Sequence, residues 1–500
     1  MSAIRAFVLL LAALHSCDGS LRFASYYGDH MVLQKAPQRA VLWGYAPSGS
    51  KVTVFLFGPV KQRRACSTST QGIWQVLLDP VDAGGTYNVT AVTASTQFST
   101  AVLTDVLFGD VWLCGGQSNM YFKTSQIFNA SEELVLSAKY PHVRTFMAAL
   151  NSSESELIDL IQVELPWSVP SARILSEFSA LCWLFGRYMY DKLKYPIGLV
   201  ESCWGGTTVE AWSSPRALKQ CGLQDSPKEK SSVLWNAMIH PFQTLTIYGA
   251  IWYQGESNAD YNKDKYNCSF PAMIDDWRMA FHSGSGGQTA DDFPFGFVQL
   301  CTSNKSATDD GFPDIRWHQT ADVGFVPNFR MKKTFMAVTL DLPDEASPYG
   351  TIHPRNKQDV AFRLTLGARA VAYEEELLFQ GPFPFQIWSF DMFVEINYDQ
   401  AVSVKPSKDI FEICCSATTA PCGSSSRWVP AAVVAWSPST VRLDASLCQP
   451  SAVAALRYAW RDWPCDVKAC PVYSASGLLP APPFIIQKYE AGKRNIWKNG

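Results

Sequence analysis

Charge is scarce in this 500-residue chain: 17% of residues are Asp, Glu, Lys or Arg, the formal net charge is −3 and the pI is near 6.2. With no basic or acidic excess, the sequence carries no electrostatic footprint for nucleic acid or an anionic membrane surface. Past the N-terminal segment, no run stays apolar for the roughly 18 residues that a spanning helix needs. Histidine occurs seven times and never beyond His353, and the late cysteines do not form paired Cys-x-x-Cys units. Both shortages argue against a zinc site in the C-terminal region. No internal repeat is evident.

The composition is globular, 47% apolar with 17 tryptophans, and the length exceeds what one ordinary core holds. The first 20 residues have the pattern of a secretory signal. Arg5 supplies the positive start, Ala6 to Leu14 form a short apolar core, and Ser16, Cys17, Gly19 and Ser20 offer small residues for cleavage. Five Asn-x-Ser/Thr sequons agree with export, at Asn88, Asn129, Asn151, Asn267 and Asn304. So do 14 cysteines, six of them late: Cys414, Cys415, Cys422, Cys448, Cys465 and Cys470. If Cys17 leaves with the signal, the remainder is odd, and at least one thiol is free or pairs between molecules. The expected location is the secretory pathway.

Residues 21–104 read as a β-sandwich. Alternating runs such as Lys51 to Phe57 and Thr86 to Val92 are separated by Gly, Pro and Asp turns. From 105 to 377, strand-like runs alternate with helical ones, as in a parallel sheet with helices on both faces. A helix is expected over Glu177 to Leu193, strands at 197–200, 246–253, 293–300 and 334–340, and a closing helix over 356–373. Residues 378–500 return to a strand- and proline-rich pattern, an accessory β region holding the six late cysteines.

Four segments at predicted strand ends carry the chemistry, which is where open α/β sheets place their sites. Gly115-Gly116-Gln117-Ser118-Asn119-Met120 puts Ser118 on a sharp strand-to-helix turn. Trp204-Gly205-Gly206-Thr207 lets a main-chain N–H approach a ligand closely. Gln254-Gly255-Glu256-Ser257-Asn258 offers amide donors, and Ile352-His353-Pro354-Arg355 supplies a base. Each segment alone has a plainer role as a turn, cap or packing element; their combination makes an acyl-transfer site. Ser118 attacks an ester carbonyl and His353 takes its proton. The N–H groups of Ser118 and Gly206, with an amide of Gln254 or Asn258, hold the oxyanion. His240 and His318 are the competing bases, and His240 looks more like packing at a helix end.

The order of these four segments resembles the SGNH/GDSL hydrolase superfamily, and within it the sialate O-acetylesterases. The likeness extends over essentially the whole chain, through Trp235 to Pro241 and Ile315 to Thr320. It implies a flavodoxin-like α/β sheet and a lysosomal or secreted glycoprotein acting on O-acetylated sialic acid or sialoglycans, chiefly at the 9-position. No metal or organic cofactor is implied.

One departure from the family pattern stands out. Many SGNH enzymes carry an acid three residues before the histidine, where this chain has Gly350. Asp341 and Asp344 are near enough in sequence to substitute; otherwise a main-chain carbonyl orients His353 in a Ser-His dyad. The Gly-x-Ser-x-Gly elbow of α/β-hydrolases is also missing, since Met120 replaces its last glycine. For a substrate carboxylate, Arg316 and Arg355 are the candidates, and Trp204 and Trp212 are candidate walls of a sugar cleft. Two rival functions remain: an SGNH esterase on another acetylated glycan such as xylan, and an inactive carbohydrate-binding glycoprotein.

Overall fold

The computed structural model describes residues 20–94, 98–224, 231–390, 392–416, 422–423, 426–488 and 497–499. The expected signal lies outside them apart from Ser20.

A seven-stranded central sheet positions the site. Its strands, numbered within that sheet, are β1 (Phe98–Gly116), β2 (Val143–Ala148), β3 (Val163–Ser168), β4 (Ile197–Cys203), β5 (Gly249–Tyr253), β6 (Phe295–Gln299) and β7 (Thr334–Val338). The spatial order is β3-β2-β4-β1-β5-β6-β7, parallel throughout except for β3 against β2. Without the β2–β3 edge hairpin, the other five strands taken in chain order lie 2-1-3-4-5, the flavodoxin-like arrangement. Its switch point falls between β1 and β5, and both strands end at candidate segments.

Four helices matter: α1 (Ala180–Leu193), α2 (Tyr266–Gly284), α3 (Gly311–His318) and α4 (Lys357–Val371). Helices cover both faces of the sheet because the strands are apolar on both sides. Trp112 of β1 meets Phe185 of α1 at 5.0 Å on one face. Trp252 of β5 meets Trp277 of α2 at 5.6 Å on the other. Helix α1 begins three residues later than its apolar stripe suggests, because Ser179 caps it by accepting the Cys182 N–H at 3.1 Å. Asn356 caps α4 in the same way, with its side chain accepting the Asp359 N–H at 3.1 Å.

Strand β1 is 19 residues long and runs through the point where the sequence pattern changes. Its first part pairs antiparallel with Gly84–Ala94, which pairs in turn with Lys51–Phe57. A separate antiparallel sheet joins Arg22–Phe23, Val41–Tyr45 and Ile73–Leu77. Leu42, Trp74, Val52 and Val54 share one apolar core with the central sheet. The C-terminal region is β-rich with a core of its own, including Ile387, Ile396, Phe411, Leu456 and Phe484.

All six late cysteines pair, as Cys414–Cys422, Cys415–Cys448 and Cys465–Cys470. Cys114–Cys182 ties β1 to α1, and Cys221–Cys268 ties a loop to α2. Among the described residues Cys66, Cys203 and Cys301 are free. Five disulfides fit a protein of the secretory pathway. No helix among the described residues is long and apolar enough to cross a membrane.

Glu201 sits on β4, opposite Cys114 of β1, and is fully buried. Its carboxyl accepts the Ser179 N–H at 2.8 Å, and burial pushes its pKa up to about 7 from 4.5. The native state thus binds this proton more tightly than the unfolded chain. The stability it contributes is complete below about pH 4.5 and is lost as pH rises to about 7. Melting temperatures of wild type and Glu201→Gln across pH 4.5–7.5 test this: the wild type should fall relative to the variant as pH rises.

Candidate active site

The turn that carries Ser118 is set by a close main-chain approach. Gly116 has φ +139°, and a Cβ there would lie 2.1 Å from the Tyr253 carbonyl oxygen, so no side chain fits. Gln117 then fastens the turn. Its N–H donates to the Tyr253 carbonyl at 2.9 Å, and its Oε1 accepts the N–H groups of Gly255 and Ser257 at 3.4 and 3.3 Å. Ser118 opens the one-turn helix Ser118–Tyr121, half-buried just past the C-terminal end of β1 in the middle of the sheet.

His353 Nε2 lies 2.9 Å from Ser118 Oγ. Its Nδ1 lies 2.9 Å from the Tyr349 carbonyl oxygen, which can only accept, so Nδ1 carries the hydrogen and Nε2 is free to accept from the serine. The ring stacks on Phe122, with centroids 6.2 Å apart and planes 11° from parallel. Burial, aided by the nearby Lys357 charge, holds the imidazole below its usual pKa, while the Tyr349 hydrogen bond raises it in part.

The position of the usual acid is part of a tight turn. Gly350 has φ +91°, and its carbonyl accepts the His353 N–H at 2.9 Å. The same turn presents the Tyr349 carbonyl to the ring. Neither candidate aspartate is there. Asp341 is fully buried in an ion pair with Arg363 (2.6 and 2.9 Å) and accepts the Tyr473 hydroxyl. Asp344 is paired with Arg355 (2.7 and 2.9 Å), which holds its carboxyl below the usual carboxylate range.

The Gly205-Gly206 turn packs directly on Ser118: a Cβ on Gly205 would stand 3.4 Å from Ser118 Cβ. The N–H groups of Ser118 and Gly206 have no acceptor among the described residues. Gln254 and Asn258 differ from expectation. Both are fully buried, and their amide hydrogens have internal acceptors. Gln254 Nε2 donates to the Thr207 carbonyl and to Asn258 Oδ1. Asn258 Nδ2 donates to Glu210 and to the Tyr261 carbonyl. In this conformation the two amides hold the glycine loop in shape instead of facing a ligand.

Other candidates lie apart from the Ser-His pair. Arg316 is fully buried, with four of its five N–H groups on the carbonyls of Leu300, Cys301, Arg461 and Asp462, so it presents no fork to a ligand carboxylate. Arg355 is committed to Asp344. Trp212 is buried against Trp252 and walls no cleft, whereas Trp204 is half-buried beside the glycine turn. His240 faces the Leu157 carbonyl and His318 faces Asp322. Of the sequon residues, Asn88, Asn129 and Asn304 are exposed; Asn151 and Asn267 are half-buried, and Asn267 Nδ2 donates to Asp322 at 2.7 Å.

Sequence reasoning passed over a buried polar group behind the pair, formed by Asn119, Glu256 and Lys357. Asn119 Nδ2 donates to Glu256 Oε1 at 2.6 Å, and Lys357 Nζ donates to Asn119 Oδ1 at 2.8 Å. The signal for it was polar residues inside motifs that otherwise read as turns.

Residues 108–330 match the family described as carbohydrate esterase, sialic acid-specific acetylesterase. Residues 385–488 match the sialate O-acetylesterase C-terminal domain. The chain is 48% identical to the sialate O-acetylesterase of Mus musculus over 96% of this chain and 97% of that protein. It is 49% identical to that of Homo sapiens over 95% of this chain and 94% of that protein. The chain belongs to the sialate O-acetylesterase family. A carbohydrate acetylesterase from Xanthomonas citri shares the fold, with a TM-score of 0.79 and 27% identity over 94% of this chain and 100% of that one. Within this sialate O-acetylesterase fold the motif order read from the sequence becomes a spatial cluster at the sheet's switch point.

Gly116→Ala tests the turn. The strained φ and the clash with the Tyr253 carbonyl should cost about 1–3 kcal/mol of stability and displace Ser118. Ester hydrolysis should fall by about 100-fold along with the melting temperature.

Proposed function

We propose that this protein is a serine esterase that hydrolyses O-acetyl esters of sialic acids, mainly at the 9-position, through an acyl-enzyme. The observation that carries the mechanism is the Ser118 Oγ to His353 Nε2 contact at 2.9 Å, with His353 Nδ1 on the Tyr349 carbonyl. Family membership at 48–49% identity supports the substrate class.

In the proposed reaction, Ser118 Oγ attacks the acetyl carbonyl as its proton passes to His353 Nε2. The Ser118 and Gly206 N–H groups stabilise the tetrahedral oxyanion, each such donor being worth about 10²–10³ in rate. The imidazolium then protonates the sugar oxygen as its bond to the acetyl carbon breaks, so that the sugar leaves with a free hydroxyl. Water, activated by the same histidine, releases acetate and restores Ser118. The Tyr349 carbonyl takes the orienting part that an acid plays in a triad: it fixes the tautomer without adding a full negative charge.

The proposal includes delivery through the secretory pathway to lysosomes or outside the cell, with glycans on the exposed sequons. It also includes a division into regions 21–104, 105–377 and 378–500, with β1 crossing the first boundary.

Acetate release from 9-O-acetyl-N-acetylneuraminic acid, with acetylated xylan for comparison, tests the function. Wild type should act on the sialic acid, and Ser118→Ala and His353→Ala should each lose at least about 10³-fold in kcat/KM. Activity on xylan alone would replace the substrate, and full activity of His353→Ala would remove the base. Because burial lowers the His353 pKa, the acid limb of the kcat/KM profile should lie below the usual imidazole value of 6.5.

A further inference from the structure

Lys357 opens α4 and is fully buried, an uncommon place for an ammonium group. It donates to Asn119 Oδ1 at 2.8 Å and to the Pro354 carbonyl at 2.7 Å. Asn119 Nδ2 donates onward to the Ile352 carbonyl at 2.9 Å as well as to Glu256. Asn119 directly follows Ser118, and Ile352 and Pro354 flank His353. The two residues of the reacting pair are therefore joined behind the site through one amide and one ammonium. Phe122 completes the link, with the ammonium 4.7 Å from its ring centroid and the imidazole stacked on the same ring.

We infer that Lys357 is a positioning residue, which with Asn119 sets the register of Ser118 against His353 and places a fixed positive charge behind the imidazole. The inference rests on the Ser-His reading above. A hydrocarbon side chain would fill the volume with less desolvation cost. It could not hold Asn119 Oδ1 and the Pro354 carbonyl, two acceptors that would otherwise be buried unpaired.

The charge has a separate effect from the tether. The groups facing the ammonium are Tyr253 and Glu256 at the end of β5, Cys301 after β6, Asp344 from the loop after β7, and His353. Those facing the imidazole are Ser118, the Tyr349 carbonyl and Lys357. Burial brings the Lys357 pKa down to about 8, so the group is still charged where the histidine titrates. A cation there opposes imidazolium formation in the free enzyme and keeps Nε2 open to the serine proton. Removing it should move the acid limb of the kcat/KM profile to higher pH.

Four proteins separate tether from charge: wild type, Lys357→Met, Lys357→Arg and Asn119→Ala, assayed on 9-O-acetyl-N-acetylneuraminic acid and on 4-nitrophenyl acetate from pH 4.5 to 8.5. Both Lys357→Met and Asn119→Ala should lose about 10–100-fold in kcat, as small misplacements of reacting groups do, with KM little changed. Only Lys357→Met should shift the acid limb upward; Asn119→Ala and Lys357→Arg keep the cation and should keep the limb. A folded Lys357→Met with wild-type kcat and an unmoved limb overturns the inference. If Lys357→Met does not fold, Asn119→Ala decides: wild-type kcat in that variant overturns the tether, and a limb that moves with the cation present overturns the charge assignment. An inert wild type, or an active Ser118→Ala, would instead sink the esterase reading on which the inference rests.

Discussion

The site depends on the approach of the Gly116 main chain to the Tyr253 carbonyl. Parallel pairing of β1 and β5 brings the two backbones so close that a Cβ has no room, and the strand must turn there with φ positive. That constraint fixes where β1 ends, and so where Ser118 stands. Gln117 converts it into a three-way junction, because one side-chain oxygen gathers two N–H groups from the turn after β5. Ser118 is thus held by backbone contacts between adjacent strands, a more precise support than a loop gives.

The contrast with the histidine is informative. His353 lies on a loop after β7, and its position is imposed from several directions. Ser347 Oγ donates to its carbonyl at 2.7 Å, and Thr351 Oγ1 donates to the Ser303 carbonyl. The Ser303 N–H in turn donates to Asp462 from the C-terminal region at 2.6 Å. Arg316 binds that same segment through the carbonyls of Arg461 and Asp462. The C-terminal β region therefore reaches the loop of His353 through Asp462 and Ser303, and Arg316 is the buried clamp between the two regions.

That clamp shows where sequence reasoning stops. The closeness of Ser118 and His353 was legible because the four motif segments occur together in one order at strand ends, although each alone has a plainer role. The five parallel strands β1, β4, β5, β6 and β7 and the helices α1 and α4 were legible from apolar periodicity, and the late cysteines from their placement, whereas the edge pair β2–β3 and helix α2 on the other face were not. Partners supplied by the main chain were not: nothing in the identity of Tyr349 marks its carbonyl as the acceptor for His353 Nδ1. Nor does a sequence separate an arginine that meets a ligand from one whose fork is spent on four carbonyls, as at Arg316. The amides of Gln254 and Asn258 read as donors by type, but their acceptors are set by the fold of residues 207–212 and by Tyr261.

In the proposed mechanism, a dyad oriented by the Tyr349 carbonyl places a different demand on the protein than a triad does. A carboxylate would both aim the imidazole and stabilise its charged form, so some misalignment could be offset by electrostatics. The Tyr349 carbonyl aims the ring with a dipole and little more, and the buried charge that acts on the ring, Lys357, is of the opposing sign. Proton transfer must then rely on geometry, with Nε2 and Oγ already at hydrogen-bond distance before substrate arrives. The links from Asn119, Lys357, Phe122, Ser347 and Thr351 to the residues flanking the pair are what such reliance requires. They account for so much polar architecture buried behind a site with two reacting side chains.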